Sequence, residues 1–102
     1  MRRTMVRYKV RPDRAAENER YIARVFEQLE REKPVGLRYA SFKLEDGVSF
    51  VHIAFHEAAD GRNPLSELSA FKTFAAGVRE RCDEPPIAVE LNEIGAYGFF
   101  RE

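Results

Sequence analysis

The chain has no tryptophan, one cysteine and no surplus of either charge, and each shortage narrows what it can be. Because Cys82 is alone, no disulfide can form within the chain and no cysteine cluster can hold a metal, which suits a reducing compartment. Seventeen basic residues cancel seventeen acidic ones, so the basic excess of most nucleic-acid-binding domains is missing. Arg2, Arg3, Arg7, Lys9 and Arg11 do gather near the N-terminus, but no aromatic stacking motif accompanies them. No apolar run approaches the ~20 residues of a membrane span, and the start lacks the apolar core of a signal peptide. Glycine-rich phosphate loops and serine nucleophile elbows are missing too. These shortages predict a cytoplasmic protein with neither nucleic acid nor membrane as a partner.

What remains is a composition that folds. With 44% hydrophobic and 33% charged residues, the 102-residue chain predicts a single domain over 1–102. Thr4–Arg11 alternates as a strand and Pro12 ends it. Asp13 is placed to cap a helix over Arg14–Glu32, whose apolar residues Tyr21, Ile22, Val25, Phe26 and Leu29 form one stripe. Leu37–Glu45 and Val48–His56 flank Asp46-Gly47, a strong hairpin signal. A two-residue loop pairs Phe42 with Val51, Ala40 with Ile53, Ser41 with His52, and Lys43 with Phe50. Asn63 and Pro64 open a second helix, striped by Leu65, Leu68, Phe71, Phe74, Ala75, Val78 and Cys82, with a break expected where Ser69 can cap anew. Ile87–Ile94 reads as a last strand, followed by an aromatic tail with Tyr97, Phe99 and Phe100 that is expected to pack on a partner subunit.

The order β-α-β-β-α-β predicts an α+β, ferredoxin-like fold, a four-stranded antiparallel sheet with two helices on one face. Val6, Tyr8, Val10, Ala40, Phe42, Val51, Ile53, Phe55, Ile87, Val89 and Leu91 are expected beneath the helices. The other face then carries Met5, Arg7, Lys9, Leu37, Tyr39, Ser41, Lys43, Phe50, His52, Ala54, His56, Ala88, Glu90 and Asn92. Ser49–His56 is apolar on both faces, and helices can cover only one. A second copy of the chain is the economical cover for the other, so a homodimer is predicted.

Chemistry is expected on that second face. His52 is the candidate general base, since imidazole titrates near neutral pH. Arg7, Tyr39, Ser41, Glu90 and Asn92 are the candidate ligand-binding residues, with Arg7, Lys9 and Lys43 suited to an anionic oxygen. No metal site is expected, because His52 and His56 stand about 13 Å apart along a strand. Cys82 reads as a small buried hydrophobe.

The element order, the Asn63-Pro64-Leu65 helix opening, the Ala70-Phe71-Lys72-Thr73-Phe74 helix core and the final strand together resemble the dimeric α+β barrel superfamily. The likeness is to small proteins related to the antibiotic biosynthesis monooxygenases. It implies two sheets packed face to face into a barrel, and a sheet–helix cleft for an aromatic or haem-like ligand. It also implies oxygenation of electron-rich polycyclic phenols without a cofactor, with asparagine, tryptophan and arginine as frequent active-site residues. This chain departs in having no tryptophan and no histidine on its second helix to ligate haem. The expected function is therefore a dimeric barrel that binds an aromatic or acidic small molecule and oxidises it as a monooxygenase does. The alternative is a non-catalytic homodimer whose sheet face is only a subunit interface, with Arg7 paired to Glu90.

Overall fold

The Asp46-Gly47 turn sets the register of the central hairpin. In the computed structural model, which describes residues 1–57 and 63–99, the Asp46 carboxylate accepts hydrogen bonds from the Ser49 hydroxyl at 2.6 Å and from the backbone N–H groups of Val48 and Ser49. Those bonds, the Ser49 hydroxyl foremost, hold its pKa down to about 2. Gly47 takes φ +77°, a conformation that disfavours side chains. The turn joins β2 (Leu37–Lys43) to β3 (Ser49–His56) in the predicted pairing, Ser41 beside His52 and Phe42 beside Val51.

β3 also pairs antiparallel with β1 (Arg2–Val10), which in turn pairs with β4 (Cys82–Glu90), so the sheet order is β2-β3-β1-β4. Between the strands lie α1 (Ala15–Glu32) and α2 (Ser69–Arg81). The fold is the ferredoxin-like β-α-β-β-α-β arrangement. The second helix breaks where Ser69 suggested it: a turn of 3-10 helix over Leu65–Glu67 gives way to extended backbone at Leu68 before α2 starts. Its new N-terminus is capped from across the helix pair, where the Gln28 side-chain oxygen accepts the Ala70 N–H at 2.9 Å. Gln28→Ala removes that acceptor while keeping the helix former, and is expected to lower stability by about 1 kcal/mol in urea unfolding.

The faces of the hairpin are the reverse of those expected. Register places Tyr8 beside Phe50 and Val6 beside His52, so Phe50, His52, Ala54 and His56 continue the helix-covered face of β1. Phe50 and Tyr8 stack at 5.6 Å and lie in the core with Val10, Val25, Leu65, Leu68, Phe74 and Val78. Ala40, Phe42, Val51, Ile53 and Phe55 therefore leave the core and join Met5 and Arg7 on the open face. Ile87 and Val89 are there too, paired to Arg7 and Met5, and remain 65% and 41% exposed. β4 ends at Glu90, short of the predicted Ile94, and begins at Cys82, which had been placed in the helix. Tyr97 and Phe99 are exposed in the protomer, and Phe99 shares a groove on the open face with Phe42, Ile53 and Phe55. Phe100 lies outside the described residues.

Candidate functional site

Placing His52 beneath the helices surrounds it with polar groups in an otherwise aromatic core. The imidazole is 4% exposed and stacks between Tyr8 and Tyr39, with Phe74 edge-on. Both ring nitrogens are engaged. Nε2 lies 2.7 Å from the Tyr8 hydroxyl; Nδ1 lies 2.6 Å from Ser41 Oγ and 3.0 Å from the Tyr39 hydroxyl. Burial in this setting pushes the pKa of His52 down to about 4, so the ring is neutral at physiological pH. The same burial raises the pKa of Tyr8, and its phenol stays protonated.

The chain of bonds continues behind Tyr8 to a buried cation. Asn18 Nδ2 donates to the Tyr8 hydroxyl at 2.8 Å, and Arg81 Nε donates to Asn18 Oδ1 at 3.1 Å. Arg81 is 1% exposed, a burial that requires partners on every side. It donates from Nη2 to the Phe74 carbonyl and lies 4.4 Å from the centre of the Tyr21 ring. Gly77 leaves it room: a Cβ there would stand 2.9 Å from Nη1.

Arginine can only donate, and this fixes the direction of the whole series. Asn18 must turn its oxygen to Arg81 and its amide N–H to Tyr8. The Tyr8 oxygen then accepts from Asn18, and its own proton has one acceptor in reach among the described residues, His52 Nε2. Nε2 being an acceptor, the imidazole proton sits on Nδ1 and donates toward Ser41.

Beside this network the sheet and α2 enclose a cleft of about 140 Å³. Its walls are Val6, Ala54, Leu65, Phe71 and Phe74, with polar groups from Thr4, Tyr39, His52, His56 and Asn63. Among the described residues, no aspartate or glutamate lines it. His56 is buried, and its Nδ1 has no hydrogen-bond partner among the described residues. The Asn63 side-chain oxygen accepts the Leu65 N–H at 3.0 Å, holding the residue at the foot of the 3-10 turn.

The structure thus brings together three of the residues selected from sequence, Tyr39, Ser41 and His52, and separates the other three. Arg7 lies on the open face, on the far side of the sheet from the cleft. Glu90 is at the exposed end of β4, ion-paired to Arg2 at 3.3 Å rather than to Arg7. Asn92 is exposed beyond the strand. Lys43 pairs with Glu19 of α1 at 3.1 Å. Asn18 and Arg81 were missed, although each carries a legible signal: both continue a buried helical stripe, Asn18 ahead of Tyr21 and Ile22, Arg81 after Phe74 and Val78.

No protein-family model matches the chain, and no curated protein does. Solved structures match over nearly its full length. One, assigned to the antibiotic biosynthesis monooxygenases and from Bacteroides thetaiotaomicron, is 13% identical with a TM-score of 0.79, covering 99% of this chain and 95% of its own. Another of that assignment, from Nitrosomonas europaea, is 20% identical at a TM-score of 0.74, over 91% and 89% of the two chains. This chain has the antibiotic biosynthesis monooxygenase fold. A variant of SnoaB, a cofactor-independent oxygenase from Streptomyces nogalater, shares that fold at 19% identity and a TM-score of 0.69, over 95% and 96% of the two chains. Among the described residues, no helix of this fold is long and apolar enough to cross a membrane, and no three His, Cys, Asp or Glu side chains gather as a metal site.

Proposed function

We propose that the chain is a homodimer, its open sheet faces packed together, and that each protomer binds a small aromatic or acidic molecule in the cleft between the sheet and α2. The cleft carries the reading: apolar walls with a few converging polar groups are the usual form of a small-ligand site. It also disfavours a role as a subunit interface alone, because the cleft and the open face are on opposite sides of the sheet.

The chemistry that fits is a monooxygenase-like oxidation needing no cofactor, in keeping with the fold shared with SnoaB. A ring CH2 of an electron-rich phenol tautomer becomes C=O. One atom of O2 enters the substrate, and the other leaves as water with the two hydrogens. In this reading Tyr39 meets the substrate oxygen. His52, a weak base at neutral pH with both nitrogens occupied, positions Tyr39 through Ser41 instead of removing a proton itself. Arg7 serves the dimer face, and Glu90 and Asn92 take no part.

Ala54→Leu tests the site, since it fills the cleft without adding charge. Titration of 4-methylphenol followed by backbone amide shifts should move Thr4, Ala54, Leu65 and Phe71 in the parent protein. The variant should bind at least tenfold more weakly, and oxygen uptake with phenolic substrates should fall in step. Shifts confined to the open face would refute the assignment.

A further inference from the structure

The donor direction imposed by Arg81 does not end at His52. The imidazole Nδ1–H donates to Ser41 Oγ, whose own proton must then go elsewhere. Ser41 Oγ and the Tyr39 hydroxyl both face that Nδ1–H, at 2.6 and 3.0 Å; burial raises the pKa of the phenol and Ser41 beside it lowers it. With its oxygen facing the Nδ1–H of His52, the Tyr39 hydroxyl has no acceptor for its proton on the imidazole. Tyr39 forms part of the cleft wall, which leaves the cleft as a direction open to that proton.

Two further observations define what that proton meets. The volume of about 140 Å³ is close to the ~150 Å³ of an apolar cavity that takes up benzene. Among the described residues, the titratable side chains lining the cleft are Tyr39, His52 and His56, with no carboxylate among them, and the Arg81 cation lies behind Asn18. Among these described side chains an oxygen carrying negative charge meets a donor and no carboxylate.

We infer that the series Arg81–Asn18–Tyr8–His52–Ser41 makes the Tyr39 hydroxyl a fixed donor into the cleft, and that the ligand is a single-ring molecule presenting an accepting oxygen, a phenolate or conjugated carbonyl, to it. This rests on the cleft being the ligand site. Asn18 touches neither ligand nor reacting atoms and is a positioning residue. Asn18→Asp replaces the donor facing Tyr8 with an acceptor. Tyr8 then donates to the new carboxylate, His52 carries its proton on Nε2, Nδ1 accepts from Ser41, and Tyr39 turns its proton to Ser41.

Two measurements on the full chain test this. Nitrogen NMR of His52 should find the proton on Nδ1 in the parent protein and on Nε2 in Asn18→Asp. The chromophoric probe 4-nitrophenol titrates near neutral pH. Its phenolate should bind the parent at least tenfold more tightly than its neutral form, so that its titration in the complex moves at least one pH unit lower. Both Asn18→Asp and Tyr39→Phe should abolish that preference, and Tyr39→Phe should leave the His52 tautomer unchanged, which keeps the test valid if Asn18→Asp folds poorly. The two-ring analogue 4-nitro-1-naphthol should bind at least tenfold more weakly. A parent protein with the proton on Nε2, a neutral phenol bound as tightly as the phenolate, or equal binding of the two-ring probe overturns the inference. If neither form of 4-nitrophenol binds while the proton is on Nδ1, the cleft itself is not the ligand site.

Discussion

Ile53→Glu is expected to convert a dimer into a monomer. Ile53 stands at the centre of the open face, paired with Met5 on β1 and Ala40 on β2, with Val51 and Phe55 to either side along β3. Phe42, Ile87 and Val89 extend that face and are 53%, 65% and 41% exposed in the protomer. A contiguous apolar surface of this kind is rare on a monomer and typical of an interface. In a two-fold dimer every substitution occurs twice, so the two carboxylates would approach one another in a desolvated seam. Burying an unpaired charge costs several kcal/mol, and each 1.4 kcal/mol weakens association tenfold. The dimer should therefore weaken by at least a hundredfold, visible as the protomer mass by light scattering at micromolar concentration. The side chains of the His52 network are on the other side of the sheet, and its NMR signals should persist in the variant. A parent protein that is itself monomeric at that concentration would remove the basis of the proposed assembly.

The sequence made the element order legible, because turn chemistry is local. Asp46-Gly47 announces the hairpin and, with it, the pairing of Ser41 with His52. Pro12 and the Ser69 break lie where their backbone constraints put them. What was not legible was which side of the hairpin meets the helices. Both sides of β3 are apolar, and Val51, Ile53 and Phe55 make the more aliphatic one, so hydrophobicity favoured the wrong face. The decision belongs to the β1–β3 register, a pairing between segments distant in sequence that no turn fixes. The helix-facing side could be the more polar one because its polar atoms satisfy one another, from Arg81 through Asn18 and Tyr8 to His52 and Ser41. For the same reason Tyr39, Ser41 and His52 remained together when the faces changed: they share one hairpin face. Arg7, assigned to that face from another strand, did not remain with them.

The same network predicts a steep loss of stability in mild acid. His52 has a native pKa lowered to about 4, against an ordinary value of 6.5, with burial as the cause. Between those values the unfolded chain binds a proton that the native chain refuses. The stabilisation is therefore complete above about pH 6.5 and declines as pH falls toward 4. One pKa unit corresponds to about 1.4 kcal/mol, so the full loss is roughly 3 kcal/mol, of which about 2 kcal/mol should be gone between pH 7 and pH 5. That is a large share of the few to fifteen kcal/mol that hold a domain together. Lowered carboxyl pKa values such as those of Asp46 and Glu17 act in a separate, more acidic window. Their stabilisation persists above the ordinary carboxylate range and is lost only as pH falls below it. Urea unfolding of the parent at pH 7 and pH 5, compared with His52→Gln, isolates the imidazole. The variant should be less stable at pH 7, through loss of its bonds to Tyr8 and Ser41, and much of its deficit should vanish by pH 5. Equal slopes in the two proteins would mean that the native imidazole accepts a proton without cost. That result is incompatible with an Nε2 already held by Tyr8 and an Nδ1 proton already donated toward Ser41.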